Sequence, residues 1–295
     1  METDKKFVRI AEKKERMRDF AFEVAPDMEL LEDLVYSKEG GLPLKMDIML
    51  TKKLSGRNLP SVVFIHGGGW SGGLKEGARI SIMPDLVRRG YIAASIEYRL
   101  TDEAIFPAQI HDCKCAIRFL RAHAKEYHID PERIGVWGGS AGGHLAALLG
   151  TSGDVKELEG EGGWQEYSSR VQAVCNFSGP SDFLAIDKAA QGREDLNQPV
   201  EGLLGGLIQK NKAMAALSSP VTHINAGTPP VLIVHGKKDD LVPVSQAEIF
   251  YKALKKAGRD VVLKVFENGG HGFSQEDSVD AHKTALDFFD KKLKK

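Results

Sequence analysis

The sequence of 295 residues lacks a long apolar run, a strong net charge and a cysteine framework. No stretch of about 18 apolar residues is present, which excludes a membrane-spanning helix. The formal net charge of −1 supplies no overall field that would attract nucleic acid or an anionic membrane. The composition is otherwise that of an ordinary globular protein, and the length suits one large α/β domain or two smaller ones. We therefore expect that neither nucleic acid nor a membrane is a partner of this protein.

The cysteines are too few and too irregularly spaced for disulfides or a metal site. Cys113, Cys115 and Cys175 form no even-numbered framework and no C-x-x-C pair. Since free cysteine behaves as a small hydrophobic residue, we expect three buried thiols.

The N-terminal segment also lacks something, namely the apolar core of a secretory signal peptide. We expect a cytoplasmic protein, or a secreted one whose leader has been removed. A partial apolar stripe in the segment predicts a helical extension over residues 1–29. Charges interrupt the stripe, so packing on the protein body is favoured over a membrane anchor.

Eight short apolar, β-branched runs alternate with helical patterns. They fall at residues 30–37, 44–50, 61–67, 91–98, 133–138, 171–179, 231–236 and 261–267. The turn-rich KEGGLP between the first two predicts a hairpin, and the later runs are typical of parallel strands covered on both faces. The alternation predicts an α/β fold with an eight-stranded, mostly parallel sheet flanked by helices.

One long interruption breaks the alternation of strands and helices. Residues 180–229 separate the sixth strand from the seventh and contain the helix-forming stretch NKAMAALSS. We interpret 180–229 as a lid-like insertion over the strand ends, within one domain that spans residues 30–295. Pro107 opens the helix that follows the fourth strand, and a terminal helix is predicted from one apolar face. That face comprises Ala281, Ala285, Leu286, Phe289 and Leu293.

The stretch from Gly138 to Gly142 reads G-x-S-x-G and sits where a strand meets a helix. A serine at such a turn adopts a strained backbone, so its neighbours must be small. The helix that follows directs its N-terminal amides towards the serine. A plain glycine-rich turn is the alternative, but the strand–turn–helix context favours Ser140 as a catalytic nucleophile.

The sequence His66-Gly67-Gly68-Gly69-Trp70 follows the third strand. In this arrangement of strands, such a loop supplies the other half of an oxyanion hole. We expect the amides of Gly68, Gly69 and Ala141 to hold the oxyanion, and Trp70 to border the substrate. A phosphate-binding loop is disfavoured because no GxxxxGK[ST] or helix-opening GxGxxG is present.

The general base must be chosen from nine histidines. His271 lies in the glycine-lined NGGHGF after the last strand, at the same sheet edge as Ser140, and is the favoured base. His144 lies one helical turn beyond Ser140 and is expected to point away, whereas His66 and His235 end strands and are expected to brace loops. The other histidines have ordinary helix or loop settings.

Three carboxylates compete for the third catalytic position. Asp239 and Asp240 are adjacent in the loop after the seventh strand, and Asp182 follows the sixth. The order Ser, acid, His along the chain suits all three. Spacing alone leaves the choice open.

Together these residues resemble the α/β-hydrolase superfamily, and the HGGGW and GGSAGG stretches resemble hormone-sensitive-lipase-like esterases. Residues 97–150 are most similar to the bifunctional acetyl xylan and feruloyl esterases of bacteria, with a looser likeness from about residue 30 to the C-terminus. The family places its acid in G-x-x-D-x-x-V-P, which here is Gly236 to Pro243. The resemblance therefore implies the catalytic residues Ser140, Asp239 and His271, with Asp240 as an unusual second carboxylate.

The resemblance implies a serine carboxylesterase that hydrolyses short-chain acyl esters through an acyl-enzyme. The expected substrate is a small-molecule or polysaccharide-linked ester, such as acetyl or feruloyl esters of plant cell walls, and no metal or organic cofactor is needed. An arylformamidase acting on N-formylkynurenine is the alternative, followed by a non-catalytic binding protein on the same fold. An exopeptidase of the prolyl-oligopeptidase type is disfavoured because about 60 residues before HGGGW cannot form a propeller. A homodimer is compatible with the sequence.

Overall fold

The computed structural model describes residues 23–294, apart from 39–40, 42, 55, 81, 154 and 190–193. The helical extension predicted over residues 1–29 falls mostly outside the described residues. Its last two positions, Met28 and Glu29, already belong to the first strand.

All eight predicted strands form one sheet. They are β1 (Met28–Ser37), β2 (Leu44–Thr51), β3 (Leu59–Ile65), β4 (Ile92–Ile96), β5 (Ile129–Gly139), β6 (Ala173–Phe177), β7 (Val231–Gly236) and β8 (Val261–Phe266). Their order across the sheet is β1-β2-β4-β3-β5-β6-β7-β8. Strand β2 is antiparallel to β1 and β4, as the predicted hairpin requires, and the pairs from β4 through β8 are parallel.

Helices cover both faces of this sheet. They are α1 (Ile82–Arg88), α2 (Ala108–Ala122), α3 (Ala141–Thr151), α4 (Phe183–Ala189), α5 (Glu194–Leu204), α6 (Lys212–Leu217), α7 (Ser245–Lys256) and α8 (Gln275–Leu293). Buried side chains of α2, α3 and α7 pack in one apolar cluster, and those of α1 and α8 pack in another. The α/β architecture predicted from the alternating pattern is confirmed.

Burial agrees with the apolar patterns of the sequence. The predicted face of α8 is buried at all five positions, and the cysteines are three buried free thiols. Among the described residues, no helix is both long and apolar enough to cross a membrane.

The sheet brings distant parts of the chain to one edge. In parallel strands the carboxyl ends lie together, and loops at that edge carry the functional groups of open α/β sheets. Here the glycine loop follows β3, Ser140 follows β5, Asp239 follows β7 and His271 follows β8. Residues 180–229, which carry α4, α5 and α6, connect β6 to β7 above the same edge.

Candidate active site

Ser140 occupies a strained turn between β5 and α3. Its φ of 55° and ψ of −120° lie in a region that residues with a side chain rarely adopt. The turn is held because the Ser140 amide donates to the Phe177 carbonyl at 2.7 Å. The residue with this strained backbone is the one that the sequence predicts to be the nucleophile.

The glycines on either side of Ser140 are required by close backbone contact. A Cβ on Gly138 would overlap the carbonyl of Gly142, and a Cβ on Gly142 would overlap the carbonyls of Ile65 and His66 at the end of β3. Gly139 differs, because apart from its two chain neighbours no residue has a heavy atom within 4 Å of the position that its Cβ would take. The small neighbours expected two residues from the serine are therefore explained by direct contacts.

His271 links the serine to a carboxylate. It lies in the loop between β8 and α8, with Nε2 at 2.9 Å from Ser140 Oγ and Nδ1 at 2.8 Å from Asp239 Oδ2. A carboxylate only accepts, so Nδ1 carries the proton and Nε2 accepts the serine hydroxyl proton. The structure thus brings together the serine, histidine and aspartate singled out in the sequence.

Asp239 is held rigidly in the turn after β7. Its Oδ1 accepts the amides of Leu241 at 3.0 Å and Val242 at 2.8 Å, and Oδ2 faces His271 and, at 3.3 Å, His235 Nε2. Burial alone would raise the pKa of Asp239, but the hydrogen bonds from His235, His271 and Val242 outweigh burial and hold it well below its ordinary value. Asp239 is therefore ionised at neutral pH beside the imidazole.

The other two candidate carboxylates have different positions. Asp240 is exposed to solvent beside the buried Asp239. Asp182 lies immediately before α4, where its Oδ1 accepts the Ala185 amide at 3.0 Å. That contact is typical of a helix N-cap. Of these three carboxylates, Asp239 is the one in contact with His271.

The histidines expected to brace loops make structural contacts. His66 hydrogen-bonds through Nδ1 with the Gly67 carbonyl at 2.8 Å and stacks on Tyr98. His235 donates from Nε2 to the Val242 carbonyl at 2.8 Å, so it supports the turn that carries Asp239. Sequence reasoning missed this contact with the acid, although the four-residue spacing from His235 to Asp239 was a usable signal.

The glycine loop after β3 is tightly folded around two left-handed glycines. Gly68 has φ of +115° and Gly69 has φ of +59°, and the next residue, Trp70, continues at +57°. Tyr98 Oη donates to the His66 carbonyl at 3.0 Å, which fixes the start of the loop. The structure places Gly69 and Ala141 on the wall of the cavity that contains Ser140, and Gly68 in the adjoining turn.

Beyond the loop, Lys75 anchors the chain to the antiparallel edge of the sheet. Its side chain is fully buried and its Nζ contacts Asp47 at 2.8 Å and Asp33 and Glu76 at 2.9 Å each. A buried cation is tolerated only when such partners surround it. Arg99 and Asp112 form another structural ion pair, in which Nη2 of Arg99 lies 2.7 Å from Oδ1 of Asp112.

A small cavity of about 140 Å³ opens at the hydroxyl of Ser140. Its walls come from the glycine loop after β3, the turn at Ser140 (the serine elbow), the 180–229 insertion and the turn after β7 that carries Asp239. The lining residues are Gly69, Trp70, Ser140, Ala141, Pro180, Ile186, Pro199, Val200, Leu241, Val242 and His271. Apart from the serine and the histidine, the lining side chains are apolar, which suits an uncharged carbon chain.

The strand order, the strained serine elbow and its histidine and aspartate define an α/β-hydrolase. The family model described as BD-FAE matches residues 46–254, and the chain belongs to that family. Among curated proteins, it is 33% identical over 261 residues to the probable carboxylic ester hydrolase LipM of Mycobacterium tuberculosis. That match covers 86% of this chain and 58% of LipM, so the chain spans less than two thirds of that relative.

Two solved structures share the fold over most of the chain. A truncated carbohydrate esterase from gut microbiota has a TM-score of 0.82 at 29% identity, covering 92% of this chain and 99% of that one. Esterase Est2 of the planctomycete Thermogutta terrifontis has a TM-score of 0.74 at 30% identity, covering 90% and 92% respectively. Est2 has also been solved with butyrate and with propionate bound.

Proposed function

We propose that this protein is a serine carboxylesterase that hydrolyses short-chain acyl esters through an acyl-enzyme. The observation that carries the proposal is the chain of hydrogen bonds from Ser140 Oγ through His271 to Asp239. The Ser140 end of this chain faces an apolar cavity. A serine hydroxyl becomes a nucleophile when an adjacent base accepts its proton, and the base must itself be oriented. The distances of 2.9 and 2.8 Å meet both conditions.

In the proposed reaction, Ser140 Oγ attacks the ester carbonyl while its proton passes to His271 Nε2. Asp239 stabilises the imidazolium that results. The amides of Gly68, Gly69 and Ala141 hold the tetrahedral oxyanion. Collapse breaks the bond to the alcohol, which leaves with the proton from His271. Water then attacks the acyl-serine by the same route and releases the carboxylic acid.

The size of the cavity favours a small acyl group. A cavity of about 150 Å³ in another protein holds one benzene molecule, so about 140 Å³ accommodates acetyl to butyryl groups. A feruloyl group would extend beyond it. The butyrate- and propionate-bound forms of the related Est2 support the same acyl range. We therefore place acetyl esters ahead of feruloyl esters.

For the alcohol, we propose a carbohydrate. The support is the likeness to the gut carbohydrate esterase over 99% of that chain. An acetyl group on a plant cell-wall polysaccharide satisfies both the small acyl group and the sugar alcohol.

The test is a panel of acetylated xylan, methyl ferulate, N-formylkynurenine and p-nitrophenyl esters of graded length, with Ser140→Ala as the blank. We expect the highest kcat/KM on acetyl to butyryl esters and release of acetate from xylan. A maximum on long-chain esters would refute the acyl assignment. Turnover of N-formylkynurenine above every ester would identify an arylformamidase instead.

A further inference from the structure

A buried line of hydrogen bonds joins the wall of the cavity to the 180–229 insertion. Trp70 lines the cavity, and its indole Nε1 donates to His144 Nδ1 at 3.2 Å. On the other side of the ring, His144 Nε2 lies 2.7 Å from the carbonyl of Ser218, the residue after α6. Trp70 is almost fully buried, and His144 and Ser218 are completely buried.

The partners of His144 allow one protonation state. An indole N–H can only donate, so Nδ1 must be the acceptor, and a carbonyl can only accept, so Nε2 must carry the proton. Burial lowers the pKa of His144 to about 4, which keeps the ring neutral at physiological pH. His144 is therefore fixed in one tautomer and one orientation by groups on two different elements.

Aromatic packing reinforces the same connection. The Phe183 ring, at the start of α4, stands edge-on to Trp70 with centroids 5.7 Å apart and lies against His144 at 4.8 Å. The Phe183 amide donates to Ser219 Oγ at 3.0 Å. Two separate parts of the insertion, the start of α4 and the end of α6, thus meet at the His144 ring.

His144 also has a fixed relation to the nucleophile. It lies in the first turn of α3, and its amide donates to the Ser140 carbonyl at 3.0 Å. Its side chain makes its hydrogen bonds to Trp70 and Ser218, not to the catalytic histidine. The ring is thus placed to set the position of the cavity wall relative to Ser140.

We infer that His144 is a positioning residue that fixes Trp70 and the insertion, and thereby limits the cavity to short acyl groups. The inference rests on the proposed ester hydrolysis and adds the structural feature that limits the length of the acyl chain. Without the acceptor at Nδ1, the buried indole N–H must find another partner, and the Trp70 ring must leave its present position to do so. That movement enlarges the cavity for longer acyl chains while Ser140, His271 and Asp239 stay in place.

The test compares kcat/KM on p-nitrophenyl octanoate and p-nitrophenyl acetate. In His144→Phe, which keeps a ring and loses both hydrogen bonds, the octanoate-to-acetate ratio is expected to rise about tenfold, the usual scale for hydrophobic discrimination by a pocket. His144→Gln retains an acceptor and a donor and is expected to remain within about threefold of the wild type. His223→Phe is the matched control, because His223 bonds the Leu217 carbonyl in the same insertion and does not line the cavity.

Trp70→Phe examines the same bond from the other side, and it carries the test if His144→Phe does not fold. It is expected to raise the ratio, because it removes the indole N–H that donates to His144. An unchanged ratio in folded His144→Phe or in Trp70→Phe would overturn the inference, as would an equal rise in His223→Phe. Absence of ester turnover by the wild type would refute the proposed function, and this inference with it.

Discussion

Asp239 and His271 meet at 2.8 Å between Oδ2 and Nδ1, while the other oxygen of Asp239 is held by two backbone amides of its own turn. The carboxylate is thus held by contacts that do not involve the histidine. A pre-oriented carboxylate selects the tautomer of His271 in which Nε2 can accept the proton of Ser140. The identity of the acid, which spacing left open, follows from this one contact.

Replacing the acid should abolish most of the activity. Asp239→Asn keeps the shape but offers His271 a donor, which selects the wrong tautomer, and we expect kcat to fall about 10⁴-fold. Asp240→Asn is the matched control, because it makes the same chemical change at the exposed neighbour. Its kcat should stay within about twofold of the wild type. Equal losses in both variants, measured on p-nitrophenyl acetate, would contradict the assignment of Asp239.

The serine elbow should tolerate a methyl group at one glycine and not at the next. Gly138→Ala forces a Cβ into the Gly142 carbonyl, whereas Gly139→Ala points one into open space. We expect Gly138→Ala to lower the free energy of unfolding by about 3 kcal/mol or more, and Gly139→Ala to lower it by less than about 1 kcal/mol. Urea unfolding measures both. Similar losses would mean that close contact does not explain Gly138.

Asp182 should matter for stability and not for catalysis. Removing its side chain deprives the Ala185 amide of its acceptor, and loss of such a cap costs about 1 kcal/mol. Asp182→Ala should therefore unfold at lower urea while kcat/KM on short esters changes by less than about twofold. A loss of activity comparable to that of Asp239→Asn would return Asp182 to the candidate acids.

Burial of neutral His144 should make the fold sensitive to mild acid. The folded pKa of about 4 lies below the ordinary value of 6.5, so between these values the unfolded chain binds a proton that the folded chain does not. The contribution of neutral His144 to the free energy of unfolding is therefore complete above pH 6.5. It is lost as the pH drops towards 4, and the loss amounts to up to about 3 kcal/mol. His144→Gln should show a shallower fall when urea midpoints are compared across this range, and an unchanged slope would count against the burial of a neutral ring.

Local patterns were sufficient to predict the fold. Continuous apolar runs indicate buried parallel strands. Gly138 and Gly142, each two residues from Ser140, are glycines because a side chain at either position would overlap the backbone around that turn. The predicted hairpin and the buried face of α8 are confirmed because each depends on neighbours within one element or turn.

The choice among long-range partners could not be made from local patterns. Asp239 and Asp240 differ by one residue, and the direction of each side chain is decided by the turn, where the amides of Leu241 and Val242 hold Asp239 inward. His144 makes its side-chain hydrogen bonds to Trp70 and Ser218 and not to the catalytic histidine. Its contact with Ser218, 74 residues later in the chain, could not be predicted because no local periodicity encodes it.

The central claim, that Ser140 is the nucleophile, is tested most directly by covalent labelling with paraoxon, an agent that phosphorylates the related Est2. Mass spectrometry after stoichiometric treatment should show one diethylphosphoryl group, on the peptide that contains Ser140, with parallel loss of p-nitrophenyl acetate hydrolysis. Ser140→Ala should remain unlabelled and inactive. Labelling at another residue, or full activity in the labelled protein, would contradict the account.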